Sequence, residues 1–339
     1  MTIDIFPHIF PAAFYQRMLT VSERAAKYMK RRVHDMPMLE NVELRLKLMD
    51  QYPGYQQFLT AAGPPIESFC DSKVSPELAR ICNDGMAELV SKHPDRFIGF
   101  AASLPMNNID AALQETDRAM RQLGARGVQI YTNVNGRPLD ELEFRPLFQK
   151  MAKYDFPVWL HPARPSTFPD YQTETHSRYE LWWALGWPYE SSIAMARLVF
   201  TGIFDELPNL KVITHHLGGM IPYFEGKIAP GLDEQMGNRT PDPEKHLWEH
   251  HLKKRPIDYF REFYADTAIL GSGPLMCGLG FFGIDHVLYG SDMPFDHEGG
   301  AFNVRETIRT VNSAALAPAD LKKIYETNAL RLLKLPGTA

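Results

Sequence analysis

The sequence predicts an α/β fold, a closed (β/α)8 barrel formed by 339 residues. Eight short apolar runs suit buried strands, and most of them are separated by segments with helical periodicity, which is typical of parallel βαβ units. Polar side chains suited to chemistry follow several of these runs, as expected at the C-terminal end of a barrel. An open doubly wound sheet is the alternative, but no predicted strand is followed by the GxGxxG turn of dinucleotide-binding proteins.

The predicted strands lie near residues 3, 56, 98, 128, 157, 211, 264 and 288. Helical periodicity occurs in the segments 76–92, 108–123, 139–154, 189–206, 220–228 and 316–333. The uncharged, glycine-rich run 268–284 is shorter than the ~20 apolar residues that a membrane-spanning helix needs. We interpret this run as a buried loop and helix, and we expect no membrane partner.

The segment between the first two strands, about residues 11–50, is longer than one barrel crossover needs. It holds two helical stretches, 22–32 and 41–52. We therefore predict that it is an inserted helical lid. Neither an internal repeat nor a low-complexity linker divides the chain, so we expect a single domain over residues 1–339.

Composition narrows the class of protein. The net charge is −5, from 36 basic and 41 acidic residues, and there is no basic stripe, so nucleic acid is not an expected partner. Cys70, Cys82 and Cys277 fit neither a disulfide framework nor a zinc-ribbon spacing. We therefore expect a reducing, cytoplasmic location. The first residues lack a basic segment ahead of an apolar run, so no signal peptide is expected.

The stretch 286–296 carries the strongest signal of a functional site. Val287 and Leu288 suit a short buried strand, Gly290 permits a sharp turn, and Asp292 follows at the mouth of the strand. A carboxylate in that position is costly to bury unless a metal, a basic partner or backbone donors compensate its charge.

Similar apolar runs end in histidine elsewhere, and in a barrel these strand ends converge. The polar residues at the predicted strand ends are His8, Tyr131, Asn133, His161, His215, His216, Asp266 and Asp292. Imidazole and carboxylate ligands on several strands suit a zinc or manganese ion with one position open to water or substrate. A nearby histidine outside the ligand set could then move protons near neutral pH.

Each of these residues also has a purely structural interpretation. His161 could be a core histidine bonded to the backbone, and Asp292 could cap the turn that follows it. The sequence does not separate the two interpretations of Asp266. The cluster of Trp182, Trp183 and Trp187 is more typical of packing than of a substrate wall. Surface or core positions are the simpler interpretation of the remaining histidines, among them His246, His250 and His251.

These motifs resemble those of the amidohydrolase-related (amidohydrolase 2) family. The resemblance rests on Ile3-Asp4…His8, Trp159-Leu160-His161-Pro162, His216-Leu-Gly-Gly219 and Tyr289-Gly-Ser-Asp292-Met-Pro-Phe295, which occur in the family order over nearly the whole chain. The most similar branch contains aminocarboxymuconate-semialdehyde, gamma-resorcylate and carboxyvanillate decarboxylases. The resemblance implies a distorted (β/α)8 barrel, one divalent metal ion, and carbon–carbon cleavage in place of hydrolysis.

Carried over by position, the resemblance makes His8, His161 and Asp292 metal ligands, with zinc the expected ion and manganese the alternative. It makes His216 the general acid/base. The family mechanism protonates the carbon that bears the carboxylate and then releases CO2. The proton comes either from the carboxylate matching Asp292 or from an acid activated by the histidine matching His216. The relatives also imply a homodimer or a larger homo-oligomer.

One position departs from the family pattern. The first strand of the family usually ends in His-x-His or Glu-x-Ala/His, and the first of these residues is a ligand. Here that position is Phe6, and only His8 remains. His215 could replace the missing ligand or contact the substrate, and the phenyl ring of Phe6 suggests a planar aromatic substrate. Arg164 and Arg178 are further candidates for substrate binding, because guanidinium binds carboxylate bidentately.

Three functions follow from these residues. The leading hypothesis is a metal-dependent, non-oxidative decarboxylase, a carboxy-lyase, acting on a hydroxylated aromatic, heteroaromatic or muconate-like carboxylic acid. The second is a metal-dependent hydrolase or hydratase on the same scaffold, since activated water serves both. The third is a barrel that has lost its metal through the change to Phe6 and serves as a binding protein.

Overall fold

Parallel strands form the centre of the computed structural model, which describes residues 1–21, 23–234 and 252–335. The eight strands are β1 (Thr2–Asp4, continued by His8–Ile9), β2 (Tyr55–Ala61), β3 (Phe97–Phe100, continued by Ala102–Ser103), β4 (Val128–Tyr131), β5 (Val158–His161), β6 (Val212–Thr214), β7 (Tyr264–Asp266) and β8 (Val287–Leu288). Each lies within a few residues of its predicted position.

Every neighbouring pair from β1 to β8 is parallel. The ring closes between β8 and β1, where the amide of Ile5 donates to the carbonyl of Tyr289 at 3.0 Å and that of His8 to the carbonyl of Met293 at 2.8 Å. The predicted (β/α)8 barrel is therefore confirmed. The interruptions within β1 and β3 distort it, and all eight C-terminal strand ends open on the same side.

Helices cover the outside of this barrel. Those between β2 and β8 are Ser75–Lys92, Ile109–Arg118, Arg145–Tyr154, Leu181–Ala184, Gly186–Phe200, Ile203–Glu206, Glu225–Ala229, Pro256–Phe260 and Ser272–Phe282. Ala301–Ser313, Pro318–Lys322 and Asn328–Leu333 follow β8. None of the described helices combines the length and apolar character that a membrane span requires. The predicted surface positions of His246, His250 and His251 lie outside the described residues.

Several elements were not predicted, among them one long helix and one hairpin. The helix Ala301–Ser313 buries Thr307 and Thr310 along with Val304 and Val311, so its inward face lacks a clear apolar period. A short antiparallel hairpin pairs Asn133–Val134 with Arg137–Pro138 after β4. Its strands are two residues long and carry no alternation that a sequence pattern would show.

The predicted insertion between β1 and β2 is helical. It consists of Ala12–Val21, Glu23–Asp35, a 3-10 turn Pro37–Leu39 and Val42–Met49. Asn41 caps the last helix, because its side chain accepts a hydrogen bond from the amide of Leu44 at 3.0 Å. The predicted stretches 22–32 and 41–52 thus correspond to helices whose bounds differ by a few residues.

Aromatic side chains fill the barrel interior. Trp159 on β5 stacks on Phe58 of β2 with ring centroids 5.0 Å apart, and its indole nitrogen donates to the carbonyl of Ile5 at 3.0 Å. A Cβ at Gly127 would lie 2.2 Å from the Trp159 ring. Only glycine therefore lets the backbone just before β4 pass this close to the ring. Burial of each such side chain contributes about 2 kcal/mol to stability.

Arg45 connects the inserted segment to β1. It lies on the helix Val42–Met49 and is fully buried. Its guanidinium donates to the carbonyls of His8 and Met38 and to Oε1 of Gln57. Burial lowers the pKa of Arg45 to about 10, so the side chain remains charged at neutral pH.

We expect Arg45→Met to lower the free energy of unfolding by about 3 kcal/mol, because it leaves three buried acceptors without a donor. Urea denaturation measures this change. Arg31→Met is the matched control, since the Arg31 side chain is 86% exposed, and its effect should stay within about 0.5 kcal/mol. A loss below about 1 kcal/mol for Arg45→Met would mean that the acceptors find other partners.

Candidate active site

The strand-end residues meet at the C-terminal mouth of the barrel. His8 lies on β1, His161 ends β5, His215 and His216 follow β6, and Asp292 follows β8. One ring nitrogen each from His8, His161 and His215 lie within 4.8 Å of one another, and the same holds for ligand atoms of His215, His216 and Asp292. The convergence expected from the sequence is therefore present in the structure.

Asp292 stands at the centre of this group. Its Oδ1 lies 3.2 Å from Nε2 of His8 and 3.4 Å from Nε2 of His215, and its Oδ2 lies 3.5 Å from Nε2 of His216. Burial alone would raise the pKa of Asp292, but the three histidines hold it well below its usual value. Asp292 is therefore a carboxylate, and its side chain faces imidazoles instead of capping the following turn.

The backbone around Asp292 is shaped for this position. Asp292 itself has a φ of 59°, a left-handed conformation that costs a non-glycine residue about 1–3 kcal/mol. At Gly290 a Cβ would lie 2.9 Å from Cβ of Asp266 and 3.3 Å from Cβ of Phe6. Glycine is thus required for the end of β8 to pass between β7 and β1, and the turn after it directs Asp292 towards the histidines.

His215 is fixed from two sides. Its Nδ1 lies 2.5 Å from Oδ2 of Asp266, and its ring stacks on Phe6 with centroids 3.9 Å apart and planes 14° apart. Burial alone would lower the pKa of His215, but the carboxylates of Asp266 and Asp292 raise it to about 9. Nε2 is the nitrogen left to face Asp292, and it has no hydrogen-bond partner among the described residues.

His8 and His161 are oriented in the same way. Nδ1 of His8 lies 3.2 Å from Oγ1 of Thr60, and Nδ1 of His161 lies 2.7 Å from the carbonyl of Pro162. Burial lowers the pKa of both rings, that of His161 well below its usual value, so both are neutral near pH 7. Bonds at Nδ1 fix each ring and leave Nε2 for a ligand, as in metal sites.

His216 begins a left-handed turn after His215, and the two imidazole rings lie close together, with centroids 3.7 Å apart. His216, Leu217, Gly218 and Gly219 all have positive φ. A Cβ at Gly218 would lie 2.6 Å from the Phe282 ring, so this turn needs glycine for space as well as for conformation. The turn places the His216 ring beside the indole of Trp187, with centroids 6.1 Å apart and planes 21° apart.

These residues fit a divalent metal ion. Three neutral or neutralisable imidazoles and one carboxylate form a donor set that zinc and manganese both accept. Nε2 of His8 and Nε2 of His215 are buried and make no hydrogen bond within the described part of the chain, although both lie near Asp292. Buried polar atoms without a partner are costly, and coordination would satisfy them.

A cavity of about 850 Å³ opens beside the histidines. His161 and Trp187 form one wall, Arg32 and Met29 of the inserted segment form another, and Glu67 lies in the loop after β2. Tyr131 also lines this cavity, with its ring centroid 5.1 Å from that of His161. The cavity is large enough for a substituted aromatic acid.

The structure corrects three of the expected substrate contacts. Phe6 is fully buried behind His215, so it cannot touch a substrate. His215 is also fully buried and directed at Asp292, a position that suits a ligand better than a substrate contact. Arg178 is 57% exposed, pairs with Glu174 at 3.3 Å and does not line the cavity. Arg164 lines the cavity, but Glu190 holds it at 3.0 Å.

The sequence did not predict Arg32 and Glu67 as site residues, and it favoured packing over substrate contact for Trp187. Arg32 lies at the end of the stretch 22–32, which was predicted only as a helix of the inserted lid, and Glu67 lies in a loop without a recognisable motif. Trp187 was interpreted as packing, but it lines the cavity and its indole N–H is buried without a partner among the described residues. The one signal in the sequence was the position of Trp187, in the long region that follows the strand ending in His161.

The chain belongs to the amidohydrolase family, because the family model Amidohydro_2, described as "Amidohydrolase", matches residues 32–335. A gamma-resorcylate decarboxylase from a Rhizobium species is 31% identical over 321 residues, a match that covers 88% of this chain and 89% of that protein. A 2-amino-3-carboxymuconate-6-semialdehyde decarboxylase from Dictyostelium discoideum is 34% identical over 219 residues, covering 65% of this chain and 57% of that protein.

A solved structure agrees with these relatives. It is a dihydroxybenzoic acid decarboxylase from Polaromonas with bound manganese and the inhibitor 2-nitroresorcinol. It superposes with a TM-score of 0.76 at 25% identity and covers 98% of this chain and 96% of that chain. The resemblance to the amidohydrolase-related family is confirmed, and so is the prediction of a carboxy-lyase of the amidohydrolase superfamily.

Proposed function

We propose that this chain is a metal-dependent, non-oxidative decarboxylase of a hydroxylated aromatic, heteroaromatic or muconate-like carboxylic acid. The observation that carries the proposal is the convergence of Asp292 and four histidines beside a cavity of about 850 Å³, which His161 lines. The decarboxylases among its relatives support the same reaction class. The alternative is a hydrolase or hydratase on the same scaffold, and measurement of released CO2 distinguishes the two functions.

The metal would be held by His8, His161 and Asp292, with His215 in place of the ligand that Phe6 lacks. The support for His215 is its buried Nε2, close to the ring nitrogens of His8 and His161. Imidazole-rich sites favour zinc, with manganese as the alternative. Once bound, a divalent ion supplies Lewis acidity towards the oxygens of a substrate.

Arg32 is the residue best placed to bind the substrate carboxylate. It lines the cavity, and its guanidinium lies 4.4 Å from the ring centroid of Phe295, which in turn lies 5.3 Å from the ring of His8. No carboxylate lies within ion-pair distance of Arg32 in the part of the chain that the structure describes. Arg164, by contrast, already pairs with Glu190.

His216 is the residue that moves the proton. Its Nε2 lies 3.5 Å from Oδ2 of Asp292, while its ring is held against Trp187. In the reaction a proton is added to the carbon that bears the carboxylate, the bond to the carboxylate carbon breaks, and CO2 leaves. The ring carbon keeps the new hydrogen, so one proton is taken up for each CO2 released. We assign delivery of this proton to His216, because the surrounding histidines keep Asp292 ionised.

We further infer a homodimer or larger homo-oligomer in the cytoplasm. Cys70, Cys82 and Cys277 are free thiols, which suits a reducing compartment. The exposed aromatic side chains of Trp183 and Tyr189, near the cavity mouth, suit a subunit contact. Sedimentation of the purified protein tests the oligomeric state.

The decisive experiment incubates metal-replete protein with a panel of hydroxylated aromatic, heteroaromatic and muconate-like acids and measures released CO2. We expect CO2 from at least one acid, its loss after chelation, and its return with zinc or manganese. His216→Asn should lower kcat about 10²- to 10⁴-fold, because it removes the proton-transfer group. His176→Asn, at an exposed histidine, should leave kcat unchanged. Ring or amide opening with water incorporation and no CO2 would favour the hydrolase or hydratase.

The role of His215 is tested through metal affinity. We expect His215→Asn to weaken binding of zinc or manganese by about 100-fold or more, since loss of a supporting residue alone typically costs 10- to 100-fold. Competition with a chelator of known affinity measures this change, and elemental analysis identifies the ion. His161→Asn should show a similar loss. If His161→Asn loses the metal while His215→Asn retains it at unchanged affinity, His215 is not a ligand.

The role of Arg32 is tested with its neighbour as control. Arg32→Ala should raise KM for the acid about 10- to 100-fold, because a charge-assisted hydrogen bond is worth about 1.5–3 kcal/mol. Arg31→Ala should leave KM unchanged, since Arg31 is exposed and pairs with Asp35. Equal effects of the two changes would point to general electrostatic attraction in place of a specific contact.

A further inference from the structure

Glu67 is a buried carboxyl that the proposed reaction does not use. It lies in a 3-10 turn, Ile66–Ser68, in the loop that follows β2, and it lines the cavity. Only 4% of the residue is exposed, and its Oε1 has no hydrogen-bond partner among the described residues. A buried polar atom without a partner is costly, so such an atom beside a ligand cavity calls for an explanation.

No residue near Glu67 compensates a charge on it. The described part of the chain places no lysine, arginine or histidine within ion-pair distance, and the amide of Met106 is the donor from outside its own turn. Asn135 donates to the backbone carbonyl of Glu67 at 2.9 Å and leaves the carboxyl free. Burial raises the pKa of Glu67 to about 7, so a large fraction is neutral at neutral pH. A neutral carboxyl can donate as well as accept a hydrogen bond.

The surroundings of Glu67 are mostly apolar. The same loop presents Gly63, Pro64, Pro65 and Phe69 to the cavity. The neighbouring Tyr131 hydroxyl receives a hydrogen bond from Gln129 at 3.3 Å. Tyr131 also contacts His161, with ring centroids 5.1 Å apart, and both residues line the same cavity as Glu67. A ligand that fills this cavity can therefore contact both His161 and Glu67.

We propose that Glu67 is a specificity-determining residue that hydrogen-bonds a hydroxyl group carried by the substrate ring away from its reacting carboxylate. This inference rests on the proposed function, because it assumes that an aromatic acid occupies the cavity. A hydroxyl group both donates and accepts, as a neutral carboxyl does, so the pair satisfies Oε1 without a charge. A substrate without this hydroxyl leaves the Glu67 carboxyl unpaired and is discriminated against.

Binding of reaction products tests this role separately from catalysis. The probes are phenol and the three benzenediols, titrated calorimetrically into metal-replete protein. We expect at least one benzenediol to bind the wild type 10-fold or more tightly than phenol. Glu67→Met, which keeps the size and loses the polarity, should abolish this preference while changing the phenol affinity less than about 3-fold. Glu67→Gln, which can still donate and accept, should keep most of the preference.

Several outcomes would overturn the role of Glu67. One is a wild-type protein that binds no benzenediol more tightly than phenol. Another is a Glu67→Met protein that keeps the preference. A third is a Glu67→Met protein whose affinities for phenol and for the benzenediols fall by the same factor. If Glu67→Met does not fold, Glu67→Asp takes its place, since the shortened carboxyl should also lose the preference. A wild type that binds benzenediols through Glu67 but releases no CO2 from any acid contradicts the proposed function and leaves this role standing.

Discussion

The compensation of one negative charge, that of Asp292, is the constraint on which the rest of the site depends. A carboxylate held away from water costs several kcal/mol unless positive or hydrogen-bonding groups surround it. Here three imidazoles from β1 and the end of β6 lie within 3.5 Å of its oxygens. These imidazoles can reach Asp292 only if β1 and β6 end at the same level along the barrel axis as β8. The site therefore depends on closure of the barrel in this register, because a shift in register would move the Asp292 carboxylate away from the histidines.

Hydrogen bonds in the layer of side chains beneath the histidines fix the level at which β1 and β8 end. The carboxyl of Asp4 on β1 accepts hydrogen bonds from the hydroxyls of Tyr55 on β2 and Ser291 after β8, each at 2.5 Å. It also accepts from the amide of Ser291 at 3.1 Å. Arg45 adds a fourth connection by binding the carbonyl of His8 from the inserted segment. The position of His8 thus depends on the same inserted segment that lines the cavity through Met29 and Arg32 of its helix Glu23–Asp35, so the geometry of the site and access to the cavity are coupled.

The sequence could predict the strands and most strand-end residues, because a buried strand is a short apolar run and its end is marked by a change to polar residues. His8, His161 and Asp292 are of this kind. The sequence could not assign His215 and His216, since adjacent residues at a strand end point in directions that only the left-handed turn at His216 decides. Arg32 and Glu67 were beyond sequence reasoning for another reason. They reach the cavity from a helix and a loop whose positions are set by tertiary packing.

The exchange at Phe6 places a ring that cannot bind a metal where the family pattern has a histidine or a glutamate. The Phe6 ring packs against His215 and occupies space that a ligand side chain would otherwise fill. Asp292 is the one carboxylate in the proposed ligand set, so this set would offset about half the charge of a divalent ion, and the carboxylate of Asp266 beside His215 would offset part of the rest. A net positive charge in a buried cavity attracts an anionic ligand and is poorly screened by salt. Arg32, on another wall of the same cavity, adds a positive charge that favours an acid as substrate.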